Sequence, residues 1–458
     1  MVAVANLDVA FIHPPAWVVH EPVGKLLSLF RKKRQFSMYP IMPMGLFSLA
    51  SCLDHEGFQT KIINLGLEQC LNPSFNLKDE VKSINADVYA IDLHWSIHST
   101  GAVEVANLCK RYHPNSLVVL GGFTATWFNK EILKNHTYVD VIILGEAEET
   151  TAQLVRNYIR RGDFSKIEGI TYREKNSLRG NQMGKPASNI DKYDFIRPDL
   201  VERWDEYLKV NAMGYDERAP PTFWLPVARG CPYNCIHCGG SRASYYVVTG
   251  RDEPILRSPQ KIGEDIERLS EKGIRVVSFS HDPQIAGKGY YSKLFEEVRK
   301  RRLDLSAYTE IFHLPSKEYV EEYTKTFTYS SVALSPESAS EEVRNLVGKP
   351  FSNAQFFKAL RMLDKSKIDT LVYFCLGLPA ESYESFEVFK KMVRKITYDT
   401  ERVFVAPPFP YTIDPNCLMA LNAERYGVKL LFKKFEDYKR MSKTSGDRLE
   451  SIRDETRN

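Results

Sequence analysis

The chain lacks any apolar run approaching the ~20 residues a membrane-spanning helix needs, so no membrane span is expected. It lacks a charge excess. Its 62 Lys and Arg against 58 Asp and Glu leave +4, too little to demand nucleic acid or a membrane surface as partner. It also lacks cysteine density. Eight cysteines in 458 residues do not make a disulfide scaffold, and reduced thiols in a cytoplasmic setting fit better. Residues 1–10 have neither the charged start nor the long apolar stretch of a secretory leader. There is no internal repeat and no low-complexity segment. The remainder is ordinary: 43% hydrophobic and 26% charged residues, in a length that suggests two or three globular domains.

Short apolar runs at 8–13, 60–64, 88–93, 117–120 and 141–144 alternate with helical patterns at 44–55 and about 101–111. That alternation predicts an α/β, doubly wound parallel sheet over residues 1–150. Such sheets bind ligands beyond the carboxyl ends of their strands. Those ends carry His13-Pro14-Pro15, His94-Trp95, Gly121-Gly122-Phe123-Thr124 and Gly145-Glu146. The Gly-Gly pair lets a ligand approach the backbone, and equally fits any sharp turn.

Residues 151–222 read as a connecting region, with loop signals at Gly184-Lys185-Pro186 and Ala219-Pro220-Pro221. Its end, 200–222, is aromatic and acidic, suited either to a partner or to packing. A second alternating series follows. Strands are expected at 223–227, 276–280, 305–311, 331–334, 370–376 and 403–406. Helices are expected at about 259–272, 290–302, 316–325, 353–365 and 382–395. Six strand–helix steps with right-handed crossovers make a partial (β/α)6 barrel over 223–415. Barrels of this kind place their chemistry on the C-terminal face. Residues 416–458 read as a helical segment whose basic stretch, 429–440, is expected to be a solvated face.

The densest chemistry lies in Cys231-Pro232-Tyr233-Asn234-Cys235-Ile236-His237-Cys238. Three thiolates spaced C-x3-C-x2-C, with no fourth cysteine close by, can hold one metal centre. A four-iron cubane would then have three protein ligands and one open iron, which predicts chemistry rather than electron carriage. The competing structural zinc site wants four ligands, often in two separated pairs. Cys52, Cys70 and Cys109 fall on helices or loops without metal spacing, and Cys375 and Cys417 are isolated. No auxiliary cluster is expected.

Together these motifs resemble the radical S-adenosylmethionine enzymes that carry an N-terminal cobalamin-binding domain, over about residues 5–415. The cysteine spacing matches the family's. Arg257-Ser258-Pro259, Ser278-Phe279-Ser280-His281-Asp282-Pro283 and Ala333-Leu334-Ser335-Pro336-Glu337-Ser338 look like its barrel motifs. So do Phe374-Cys375-Leu376-Gly377-Leu378-Pro379-Ala380-Glu381 and Phe409-Pro410-Tyr411-Thr412. Pro43-Met44-Gly45-Leu46, Leu120-Gly121-Gly122 and Leu144-Gly145-Glu146-Ala147-Glu148 look like its cobalamin domain. There are two departures. His237 stands where the family usually has an aromatic residue beside the cofactor adenine; it keeps a ring that can also titrate or donate. The Asp-x-His-x-x-Gly motif is missing, so the resemblance implies no histidine below the cobalt and no ligand role for His94 or His98.

The resemblance implies that Cys231, Cys235 and Cys238 ligate a 4Fe-4S cluster whose fourth iron binds S-adenosylmethionine, which is cleaved to an adenosyl radical. It places His281 and Asp282 near the methionine amine, Glu310 and Glu337 near ribose or methionine, and Ser338 beside them. Gly377, Leu378, Pro379 and His237 would lie at the adenine. Cobalamin would contact His13, Pro14, His94, Trp95, Gly121, Gly122, Phe123, Thr124, Gly145 and Glu146. The implied activity is transfer of a methyl group from methylcobalamin to an unactivated sp3 carbon. A protein side chain such as glutamine of methyl-coenzyme M reductase is one candidate substrate; small molecules and lipids are others. Rival outcomes are rearrangement, cyclisation or carbon–carbon coupling with the same cofactors, or a non-catalytic cofactor sensor. An electron donor of flavodoxin or ferredoxin type completes the expected partners.

Overall fold

The computed structural model describes residues 6–16, 39–175, 177–211, 214–410 and 413–443. Its first sheet has the strand order Thr60–Asn64, Leu7–His13, Ala86–Asp92, Leu117–Gly121, Val141–Ile143, Ile170–Glu174, Ser177–Gly180. The first five strands run parallel and the last two antiparallel. Val9, Ala10, Phe11 and Ile12 are all at most 1% exposed, because helices cover both faces, as a parallel sheet requires. The order reverses between Leu7–His13 and Ala86–Asp92. That switch point opens a crevice at the strand ends.

The second sheet is parallel throughout and takes its strands in chain order. They are Thr222–Leu225, Val276–Phe279, Ser306–Ile311, Tyr329–Glu337, Asp369–Leu376 and Val403–Val405. Among the described residues the first and last strands do not pair with each other, so the barrel is partial, as the six-step pattern predicts. Local chemistry sets its helices. In Pro259–Glu271, Ser258 Oγ accepts from Lys261 N–H at 3.2 Å and Pro259 occupies the first turn. Arg257 just before it is fully buried, paired with Asp265 and lying 5.0 Å over the Phe195 ring.

One expectation about the connecting parts changes and two are refined. The first sheet does not end near residue 150: the helix Glu148–Ile159 and the strands Ile170–Glu174 and Ser177–Gly180 extend it, so the connecting region begins after 180. Segment 200–222, open between partner and packing, supplies packing residues and, through Val210, Ala219 and Pro220, part of the cavity wall between the two sheets. Trp204 meets Phe223 at 5.5 Å between ring centroids, and Tyr207 meets Phe47 at 5.7 Å. The basic tail keeps its solvated face, with Lys429, Lys433, Lys434 and Arg440 exposed. Among the described residues its helices are short, and in Phe435–Lys443 Phe435 and Tyr438 are buried against the first domain. Residues 1–5, Tyr411, Thr412 and 444–458 lie outside the described residues, and with them part of the expected leader-free start, the turn motif and the tail. No helix among the described residues is long and apolar enough to cross a membrane.

Candidate active site

The cysteine loop leaves the first barrel strand on the face where the parallel strands end. Ala228–Arg229 pairs antiparallel with Ile255–Leu256, Gly230 turns with φ +81°, and Cys231 follows. All three loop cysteines are free and partly buried. Burial pushes the Cys231 thiol up to about 11 and the Cys238 thiol up to about 12, and raises Cys235 as well. Lys349, itself buried, opposes this at Cys231 and Cys235. The amide of Gly240 donates to Cys238 Sγ at 3.3 Å, a contact that favours a thiolate. Behind the loop, Asp414 Oδ2 accepts from Gly239 N–H at 2.9 Å and Asn416 Nδ2 donates to Gly239 O at 2.8 Å.

Glu337 ends the fourth barrel strand just past a register shift, with φ +67°. A non-glycine residue held there costs about 1–3 kcal/mol, and a bulge re-aims its side chain. Its carboxylate lies 3.6 Å from His237 Nε2 and 3.9 Å from Lys349 Nζ, and accepts from Cys375 Sγ at 3.1 Å. Burial raises this carboxyl, but His237, Lys349 and the thiol together hold it below its ordinary value. Cys375, expected to be isolated, is therefore a donor to Glu337. Burial pushes Asp282 up to about 6 and His281 down to about 4. Asp282 accepts from the backbone N–H groups of Gln284 (2.9 Å) and Phe312 (3.0 Å), so its oxygens hold the protein's own loops. Glu310 is raised by burial and accepts from Tyr308 Oη at 3.4 Å.

One cavity of about 1090 Å³ lies between the two sheets. From the first domain it is lined by His94, Trp95, Gly121, Gly122, Phe123, Gly145 and Glu146; from the barrel, by Arg229, Gly230, Gly240, His281 and Glu310. Tyr39, Trp224, Tyr245, Tyr308 and Tyr373 supply aromatic walls that sequence reasoning did not single out. His13 is off the cavity. It bonds Asp92 at 2.9 Å and the Tyr39 carbonyl at 3.2 Å. Thr124 Oγ1 donates to His94 O at 3.0 Å. Pro14, Thr124, His237, Asp282, Glu337, Ser338, Gly377, Leu378 and Pro379 also lie outside the cavity wall, as do Cys231, Cys235 and Cys238, whose loop reaches it through Gly230 and Gly240. Ser338 Oγ instead donates to Glu381 Oε1 at 3.4 Å, and Leu378 belongs to the same apolar cluster as Ile236 of the cysteine loop.

The glycine pair divides its work. A Cβ on Gly122 (φ +109°) would sit 2.7 Å from the His94 backbone, so the protein's own packing demands glycine there. A Cβ on Gly121 would meet nothing within 4 Å. That open cradle at a strand end fits a bulky cofactor. On the barrel side, His313 Nε2 is buried without a hydrogen-bond partner among the described residues. Its ring lies 4.0 Å from that of Tyr233 in the cysteine loop, leaving a polar atom for a ligand held by that loop.

The domains so described match known families. The Radical SAM superfamily pattern matches residues 225–393, and the B12 binding domain pattern matches residues 37–155. An uncharacterized methyltransferase of Pyrococcus horikoshii is 26% identical over 84% of this chain and 81% of its own length. An anaerobic magnesium-protoporphyrin IX monomethyl ester cyclase of Cereibacter sphaeroides is 23% identical over 68% of this chain, which spans 50% of that longer protein. Among solved structures, the radical S-adenosylmethionine methyltransferase TsrM from Kitasatospora setae, with cobalamin and a [4Fe-4S] cluster bound, superposes with TM-score 0.65. It is 15% identical, over 92% of this chain and 75% of TsrM, a likeness of fold. The cofactors of the two domains are a 4Fe-4S cluster with S-adenosylmethionine, and cobalamin. With a B12-binding domain joined through a shared cavity to a radical S-adenosylmethionine barrel, this chain belongs to the cobalamin-dependent radical S-adenosylmethionine enzymes.

Proposed function

We propose that the chain transfers a methyl group to an unactivated sp3 carbon, with a protein side chain such as glutamine of methyl-coenzyme M reductase as the substrate. The observation that carries the reaction is the cavity bounded by the strand ends of one domain and the barrel mouth of the other. A methylase of this kind needs both cofactor sites to face one substrate carbon. The Pyrococcus horikoshii methyltransferase relative supports the reaction type.

When bound, the cluster, S-adenosylmethionine and cobalamin supply a carbon-centred radical and a transferable methyl group. The chain's own residues position these groups. Cys231, Cys235 and Cys238 would hold the cluster, with Gly240 N–H favouring the charge on Cys238. Glu337, kept ionised by His237 and Lys349, is suited to a cationic amine or a ribose hydroxyl. Gly121 leaves room for cobalamin. Trp224, Tyr308 and Tyr373 give the cavity an aromatic wall against which a substrate can pack. Glu310 stands on the cavity wall beside Tyr308 and offers a polar group to the substrate.

The test is an anaerobic reaction of the reconstituted protein with cobalamin, S-adenosylmethionine, a reductant and candidate peptides. 5′-Deoxyadenosine, S-adenosylhomocysteine and peptide mass are read together. Methyl transfer gives both small products and a peptide one methyl heavier; Cys235→Ala loses the deoxyadenosine. Deoxyadenosine with an unmethylated but rearranged product would sink the proposal. It would favour the second reading, cyclisation or rearrangement, which the cyclase relative supports.

A further inference from the structure

Glu146 and Glu148 lie on the wall of the cavity where the sequence alone would make Glu146 a cobalamin contact. Their oxygens are already committed. Glu146 accepts from Arg251 Nε at 2.6 Å and Arg251 Nη2 at 2.9 Å, from Ala187 N–H at 3.0 Å, and from Arg229 Nη1 at 3.4 Å. A carboxylate offers about four acceptor positions, so this one is saturated. Glu148 accepts from Ser48 Oγ at 2.6 Å, from Arg229 Nη1 at 3.0 Å, and from Arg229 Nη2. The two carboxylate side chains are 6% and 4% exposed. Arg229 also lies 5.2 Å over the Tyr193 ring. Buried charges this well paired are costly to break and fixed in geometry.

The chain positions of the two arginines matter. Arg229 stands two residues before Cys231, and Arg251 follows the helix Arg242–Thr249 that ends the cysteine segment. Segment 230–250, with all three loop cysteines, is gripped at both ends by carboxylates of the other domain.

We propose that Glu146 and Glu148 are positioning residues that hold the iron–sulfur segment in register with the B12-binding domain, and are not cobalamin ligands. This rests on the methyl-transfer reading only for its effect on product balance. Loss of either carboxylate's charge frees segment 230–250 from the first domain, while the two sheets stay folded. Cluster chemistry then continues without keeping pace with methyl transfer.

The test uses the full chain as wild type, Glu146→Gln, Glu148→Gln and Arg251→Gln. Before reconstitution, amide hydrogen exchange is read across 228–251. On the order of tenfold faster exchange there, with exchange in the two sheets unchanged, is expected in each variant. After reconstitution, iron content and cobalamin affinity are expected to match wild type. The electron paramagnetic resonance change on adding S-adenosylmethionine becomes heterogeneous, and S-adenosylhomocysteine released per deoxyadenosine falls. Glu146→Asp, which keeps the charge, restores part of each. Unchanged exchange with weakened cobalamin binding in Glu146→Gln would overturn the proposal and make Glu146 a cofactor contact. If Glu148→Gln fails to fold, Glu146→Gln and Arg251→Gln decide the matter. If the wild type releases neither product, the methyl-transfer reading fails, and exchange and resonance spectra still judge the anchor.

Discussion

Single residues separate packing from ligand binding. Gly121 and Gly122 are adjacent and look alike in sequence, yet their surroundings differ. Gly122→Ala forces a Cβ against the His94 backbone at positive φ and is expected to cost at least about 1–3 kcal/mol in chemical denaturation. Gly121→Ala enters open space, so stability should hardly move while cobalamin affinity, followed by absorbance titration, falls. Glu148 gives a pH signature. Burial raises its carboxyl, but Arg229 and Ser48 outweigh that and hold it below its ordinary 4.5. Near that pH the unfolded chain therefore binds more protons than the folded one. The stability Glu148 contributes is full above about 4.5 and lost as pH falls through the lower folded value. Glu148→Gln should be less stable than wild type by about 1.5–3 kcal/mol at pH 7. That gap should narrow in denaturation curves taken as pH falls below about 4.5.

At the scale of elements, the cysteine loop is held by partners distant in sequence. Ile236 O accepts from Met419 N–H at 2.8 Å, and Ile236, Leu378, Cys417 and Met419 share one apolar cluster. The short segment 413–421 is thus a back wall for the loop. Asp414→Ala leaves the Gly239 N–H without its acceptor, at a cost of about 1–3 kcal/mol. The variant is expected to hold less iron after reconstitution and to melt earlier; iron per chain equal to wild type would contradict this. The helix Phe435–Lys443 works on the other domain. Thr100 Oγ1 donates to Lys439 O at 2.6 Å, and His136 Nε2 lies 2.8 Å from Glu436. The C-terminal segment therefore ties the loop's back wall to the B12-binding domain.

For the whole molecule, the two domains share one core. The main apolar cluster includes Val9, Phe11 and Phe47 from the first domain and Phe223, Leu225 and Val277 from the barrel. The Phe47 and Phe223 rings meet edge-on at 5.7 Å. Interfaces between freely moving domains are small and polar, and this one is apolar and continuous. Calorimetry of the cofactor-free chain should give one cooperative transition. Two separated transitions would mean that the domains fold independently.

The sequence by itself determined the cofactor set and the two α/β layers. Strand runs of four to eight apolar residues, helix caps such as Ser258-Pro259 and the C-x3-C-x2-C spacing are local signals, legible without neighbours. The barrel strands accordingly fall within a few residues of their expected places. Only the tertiary structure decided who partners whom. The pairing of strand 170–174 with 141–143, the packing of Trp204 on Phe223 and of Tyr207 on Phe47, the Asp414–Gly239 bond and the Arg229–Glu148 anchor join residues about twenty to nearly two hundred positions apart. The physical reason is that burial assigns these contacts. A carboxylate saturated by two arginines and one open to a cofactor have the same letter in the sequence, and only the folded surroundings tell them apart.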